Sequence, residues 1–221
     1  MNKSLFVTGT NTDIGKTYIC GLIQKKLIEN NINAGYYKAA MSGSINISSS
    51  DAAYVKEISN SNQNLNKMVS YIFSEALSPH LAAKLNNQSI ELSKIAEDYN
   101  SIADNYDYVT VEGSGGIICP IRDDDKLILL EDIIKLLNLN VIIIADSNLG
   151  TINSTVLTSS YLKSHQITCK GIIMNNYSDS ILHKDNAYMI EKLTNLPILA
   201  KIANNSTTIG ITLEELLKLY D

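Results

Sequence analysis

The segment of this chain best suited to chemistry is Gly9-Thr-Asn-Thr-Asp-Ile-Gly-Lys-Thr17. It follows a short apolar run at 5–8. It precedes a stretch in which Ile19, Cys20, Leu22, Ile23 and Leu27 fall on one helical face. A strand, a glycine-containing turn and a helix, in that order, form the context of a P-loop. Backbone N–H groups at Asp13, Ile14, Gly15, Lys16 and Thr17 then point at phosphate oxygens, and the helix N-terminus adds positive potential. Lys16 is placed to bridge β- and γ-phosphates, and the Thr17 hydroxyl to hold Mg²⁺. The standard pattern has a glycine five residues before Gly15, where this chain has Thr10, with Gly9 one place early. The alternative is a surface turn with a capping threonine.

A P-loop calls for a second, metal-side carboxylate at the end of a neighbouring strand. Glu112 has that position, between an apolar strand at 106–111 and Gly113-Ser-Gly-Gly116, whose glycines allow a ligand close to the backbone. The alternative is an exposed strand-end glutamate. Asp51 fits either a further metal ligand or the N-cap of a helix over 52–58, and spacing does not choose between them. Lys38 closes a second strand at the sheet edge where ligands bind; a solvated surface lysine is the other reading.

These side chains need a scaffold, and the chain alternates strands with helices. Strands are predicted at 5–8, 35–39, 106–111, 141–145, 171–174 and 198–202. Helices are expected over 17–29, 91–104, 131–137, 151–163 and 185–193, and Thr212 with Glu215 forms a capping box opening a last one. This is a single α/β domain over 1–221: three layers, α/β/α, around a mainly parallel sheet, the P-loop NTPase fold. Polar stretches at 42–50 and 59–66 read as loops.

Composition excludes several classes. The 221 residues carry 18 Lys+Arg against 23 Asp+Glu, a formal net charge of −5, and Arg122 is the sole arginine. Such a chain lacks the cationic surface that nucleic-acid binding needs. No apolar stretch reaches the ~20 residues of a membrane span, and the apolar run after Met1-Asn2-Lys3-Ser4 is shorter than that of a signal peptide. Cys20, Cys119 and Cys169 have no CxxC spacing and read as ordinary thiols of a cytoplasmic protein.

Taken together, the residues resemble the dethiobiotin synthetase family. The resemblance is carried by residues 6–17, Gly35-Tyr-Tyr-Lys38 with Ser42-Gly-Ser44, Ser50-Asp51 and Ser78-Pro79-His80. It continues through Val111-Glu-Gly-Ser-Gly-Gly116, Leu149-Gly-Thr-Ile-Asn153 and Gly171-Ile-Ile-Met-Asn175. It implies ATP-dependent ring closure of 7,8-diaminononanoate with CO₂ to dethiobiotin, ADP and phosphate, in biotin biosynthesis, through an N-carbamate and a carbamic–phosphoric mixed anhydride. Lys16 and Lys38 then stabilise the transferring phosphoryl and the carbamate, and Thr17, Asp51 and Glu112 hold Mg²⁺. Asp13 to Tyr18 and Gly113, Ser114 and Gly115 line the nucleotide. Asn175, Asn176, Ile202, Ala203 and Asn204 lie at the base. Thr12 and Ser42 bind the carbamate or diamine end. The resemblance also implies a homodimer with the substrate at its interface, where Gly150, Thr151 and Asn153 of the second subunit bind the substrate carboxylate and Tyr188 lies near the same tail.

Two departures stand out: Ala39 where the family has proline after the lysine, and Ala200-Lys-Ile-Ala203 where it has Gly-x-Ile-Pro. The main rival is a nucleotide-switch ATPase of the partition and septum-site type. Those proteins carry a signature lysine five residues before the P-loop lysine, where this chain has Asn11. A cobyrinate-type amidoligase requires a glutamine-hydrolysing domain that 221 residues do not accommodate.

Overall fold

In the computed structural model, which describes residues 3–221, the most apolar runs become the middle of a sheet. β1 (Lys3–Gly9) and β7 (Asn140–Asp146) are buried on both faces, as parallel strands between two helical layers must be. Around them lie β2 (Ala34–Ser42), β3 (Val69–Phe73), β4 (Tyr108–Glu112), β8 (Cys169–Asn175) and β9 (Ile198–Lys201), in the order β3-β2-β4-β1-β7-β8-β9. Every pairing in this sheet is parallel.

Alternation along the strands splits the core in two. Leu5 and Val7 join one cluster with α1 (Lys16–Glu29), α2 (Asp51–Ser59) and α8 (Leu213–Lys218). Phe6 joins the other with α3 (Pro79–Leu85), α4 (Leu92–Ala103), α5 (Leu130–Leu136), α6 (Thr151–Ser164) and α7 (Ile181–Thr194). The expected three layers are present.

The chain leaves β1 for β2 on one side of the sheet and later leaves the neighbouring β4 for β7 on the other, so the carboxyl ends of β1 and β4 flank a topological switch point where a crevice opens. The P-loop leaves β1 there. Lys38 and Glu112 are register partners on β2 and β4, and Asp146 and Asn175 on β7 and β8, all at the same edge of the sheet.

Several elements differ from the sequence expectation. β3 and α3 lie in segments without a predicted element, and β5 (Pro120–Asp123) pairs with β6 (Leu127–Leu129) as a separate antiparallel hairpin. The lone arginine is spent on that hairpin: Arg122 donates to Asp124 and Asp125, each at 2.7 Å, and to Glu91 just before α4. The N-cap of α2 is Ser50, whose Oγ accepts from the Ala53 N–H at 3.0 Å, and not Asp51. This leaves the Asp51 carboxylate free for other partners. The expected capping box is made: Glu215 N–H donates to Thr212 Oγ1 at 3.2 Å, and Thr212 N–H to Glu215 Oε2 at 3.0 Å.

Candidate active site

The P-loop is shaped by two left-handed residues, Asp13 (φ 58°) and Gly15 (φ 90°), immediately before α1. No side chain caps that helix, so its first N–H groups face the crevice. A Cβ on Gly15 would lie 2.2 Å from Asn175 Nδ2, so this position is closed to other residues on both backbone and packing grounds. Gly9 has the corresponding role at the loop's entry. A Cβ there would lie 2.5 Å from Ile14 Cδ1 and 3.1 Å from the Asn11 carbonyl oxygen, so the loop packs closely against this glycine. Lys16 is buried, and its ammonium donates to the Asn11 carbonyl at 2.9 Å. Burial lowers its pKa; the nearby Glu112 opposes that shift, and Lys38 adds to it.

A polar cluster sits beside the loop. Glu112 is 2% exposed, so the strand-end glutamate is not a surface residue. Its Oε1 accepts from the Thr17 hydroxyl at 2.8 Å and from Lys38 Nζ at 2.6 Å. Lys38 Nζ also reaches Asp51 Oδ2, at 2.5 Å. Lys38 is therefore a buried ammonium bridging two carboxylates. Burial alone would lower its pKa, but Glu112 and Asp51 outweigh that and hold it above the ordinary lysine value. Two carboxylates drawn around a single cation, with a hydroxyl on the same oxygen, form an all-oxygen donor set. That set fits a hard divalent cation that also takes phosphate oxygens.

These groups line a cavity of about 570 Å³ with Thr12, Asp13, Gly15, Lys16, Tyr18, Ser42, Ser114 and Gly115. Ser42 and Ser114 donate to the Leu77 and Ala40 carbonyls, fixing the rim. Thr12 and Gly115 also line an adjoining cavity of about 900 Å³, with Asn153 and the exposed side chains of Ile118 and Leu157.

The remaining expected site residues are arranged differently. Gly113 is buried under Phe6 and Leu130, where a Cβ would lie 2.9 Å from the Phe6 ring, so it serves packing and not the cavity wall. Asn175 is buried; Nδ2 donates to the Ile14 carbonyl at 2.9 Å, tying β8 to the P-loop, while Oδ1 has no partner. Asn176 has φ 55° and donates to Asp146 Oδ1 at 2.9 Å. The Ile202 side chain is in the core, and Ala203 and Asn204 are exposed beyond it. The Tyr18 hydroxyl donates to the Ser206 carbonyl and holds this segment against α1. Gly150 (φ 95°) opens α6, Thr151 behind it is buried, and Tyr188 is exposed on α7. Sequence reasoning missed Tyr36, whose hydroxyl donates to Glu112 Oε2 at 2.8 Å; its place two residues before Lys38 was the available signal.

Comparison with known proteins bears on the family and the fold. A family model described as an AAA domain matches residues 3–212. The ATP-dependent dethiobiotin synthetase of Clostridium botulinum strain Alaska E43 / Type E3 is 52% identical, over 100% of this chain and 99% of that protein. The synthetase of strain Loch Maree / Type A3 is 48% identical over the same shares. Among solved structures, a ParA family ATPase from Chlorobium tepidum TLS has a TM-score of 0.61 at 16% identity, covering 100% of this chain and 91% of that one. The MinD cell division protein of Aquifex aeolicus has a TM-score of 0.57 at 12% identity, covering 99% and 85%. At those identities the structural likeness speaks for the fold alone. With residues 3–212 matched and about half of all positions shared over the whole length, the chain belongs to the dethiobiotin synthetase family.

Proposed function

We propose that this protein is a ligase that closes the ureido ring of dethiobiotin from 7,8-diaminononanoate, CO₂ and ATP, releasing ADP and phosphate, in biotin biosynthesis. The observation that carries the reading is the Thr17–Glu112–Lys38–Asp51 cluster beside a P-loop, at the carboxyl edge of a parallel sheet.

One substrate amine takes up CO₂ and loses a proton to give a carbamate. A carbamate oxygen attacks the γ-phosphorus, ADP leaves, and a carbamic–phosphoric anhydride forms. The second amine attacks its carbonyl carbon, phosphate leaves, the attacking nitrogen gives up a proton to the departing phosphate, and the ring closes. Anionic charge builds at each step, and the protein's task is to place cations and N–H groups against it. The P-loop N–H groups and Lys16 hold the phosphates, for which Lys16 gives up the Asn11 carbonyl. Lys38 meets the carbamate, its charge secured by the two carboxylates. Thr17, Asp51 and Glu112 would hold Mg²⁺, which would supply neutralisation of the phosphate charge.

Thr12 and Ser42 border the reacting end of the diamine, and its aliphatic chain lies in the adjoining cavity along Ile118 and Leu157. Exposed Leu157 and Ile118, both on the wall of that cavity, make this an apolar face suited to a second copy, whose Gly150, Thr151 and Asn153 receive the substrate carboxylate at a helix start. The buried, unpartnered Asn175 Oδ1 is an acceptor for the amino group of adenine, with Asn176 and 202–204 beside it. The setting is the cytoplasm; among the described residues no helix is long and apolar enough to cross a membrane. The test is diamine-dependent ADP release in the presence of Mg²⁺ and bicarbonate; release that ignores the diamine would count against this reading.

A further inference from the structure

Glu112 is held at both ends of its carboxylate. Oε1 receives Thr17 and Lys38, and Oε2 receives the Tyr36 hydroxyl at 2.8 Å. Tyr36 and Lys38 are two residues apart on β2 and so project from the same face of the sheet, with Lys38 in register with Glu112 across the strand pair. The Tyr36 ring is fully buried in the core cluster shared with α1. Its backbone is clamped as well. The Gln63 side-chain amide accepts from Tyr36 N–H at 2.8 Å and donates to Tyr36 C=O at 2.9 Å, standing in for a neighbouring strand. A tyrosine fixed at its backbone, ring and hydroxyl leaves Glu112 one orientation, with Oε1 turned to Thr17 and the cavity.

We propose that Tyr36 is a positioning residue for the metal site: its hydroxyl anchors Glu112 Oε2 and so presents Oε1 to the cation. This rests on the reading of Glu112 as a metal ligand. Partners behind a ligating carboxylate are commonly worth 10–100-fold in metal affinity.

The experiment measures Mn²⁺ binding, as a paramagnetic stand-in for Mg²⁺, by electron paramagnetic resonance with a non-hydrolysable ATP analogue. It compares wild type, Tyr36→Phe and Glu112→Gln. Tyr36→Phe is expected to weaken Mn²⁺ binding about tenfold, with metal-free nucleotide affinity unchanged. Wild-type Mn²⁺ affinity in Tyr36→Phe, with weak binding in Glu112→Gln, overturns the role of Tyr36 alone. Wild-type affinity in both variants overturns the ligand reading and the inference with it. A second measurement uses the unaltered protein and does not depend on a variant folding. The proton resonance of the buried Tyr36 hydroxyl should shift when Mg²⁺ joins the nucleotide-bound protein, and an unmoved resonance contradicts the proposal.

Discussion

Lys38 and Glu112 face one another in register on adjacent parallel strands, and Lys38 Nζ lies 2.6 Å from Glu112 Oε1. Both are almost wholly buried, and the same ammonium also binds Asp51. A lysine so placed is committed to its charge, which suits the role proposed for it against anionic intermediates. It is also part of what holds the ligand-free site together.

Replacing it therefore touches both roles. Lys38→Met keeps the stem and removes the charge. Turnover should fall by about 10²–10³ or more, and ligand-free stability by about 3 kcal/mol, because the buried Glu112 loses its counter-ion; the half-exposed Asp51 adds little. Denaturant unfolding beside steady-state turnover checks both. Wild-type turnover would remove Lys38 from the chemistry.

The pH dependence has a definite sign. The folded-state pKa of Lys38 lies above its unfolded value, so its stabilising contribution is complete below the ordinary lysine pKa. The contribution disappears as pH rises through the higher, folded value. Buried Tyr36 and Tyr37, with raised phenol pKa values, push the same way. The difference between wild type and Lys38→Met isolates the lysine. That stability difference should be flat from neutral pH to the ordinary lysine pKa and shrink above it, as read from unfolding midpoints.

The nucleotide end makes a graded prediction. Asn175→Ala removes both the free Oδ1 and the tie to the Ile14 carbonyl, and should weaken nucleotide binding about tenfold, or ~1.4 kcal/mol. Gly15→Ala should weaken it further, since the new methyl would meet Asn175 Nδ2 at a backbone angle glycine alone tolerates well. Calorimetric titration with ADP gives both constants, and an unchanged Asn175→Ala affinity removes the base contact.

The proposed second copy can be tested at Leu157, which is 62% exposed on the rim of the larger cavity. Leu157→Glu places a charge on that apolar face. Sedimentation should show a shift from dimer to monomer, with diamine-dependent turnover lost and nucleotide affinity kept. A variant of unchanged mass would place the interface elsewhere.

Much of this architecture is legible in the sequence, because parallel strands buried on both faces must be written as apolar runs and a P-loop as glycine before lysine. Glu112 declares itself by ending such a run, whereas Lys38, expected to close its strand, interrupts one: four more residues of β2 follow it, three of them buried. Other features are hidden for physical reasons. β3 reads Val-Ser-Tyr-Ile-Phe directly after a polar stretch, and its residues alternate between buried and half-buried. Ser50 and Asp51 are both good caps, and only the folded loop chooses Ser50. Gly113 resembles a ligand-approach glycine, yet it is small because Phe6 lies against it. Tyr36 and Tyr37 are adjacent and alike, and only the face each occupies reveals which hydroxyl reaches Glu112: Tyr37 turns instead to Ser70 and the Ile95 carbonyl.

The most direct test of the central claim is product formation by the purified protein with Mg²⁺, ATP, ¹³C-bicarbonate and 7,8-diaminononanoate, followed by mass spectrometry. The account predicts dethiobiotin carrying one ¹³C, formed with one ADP per ring closed and absent when any of the three substrates is left out. Steady ADP formation indifferent to the diamine, with no labelled product, would contradict it.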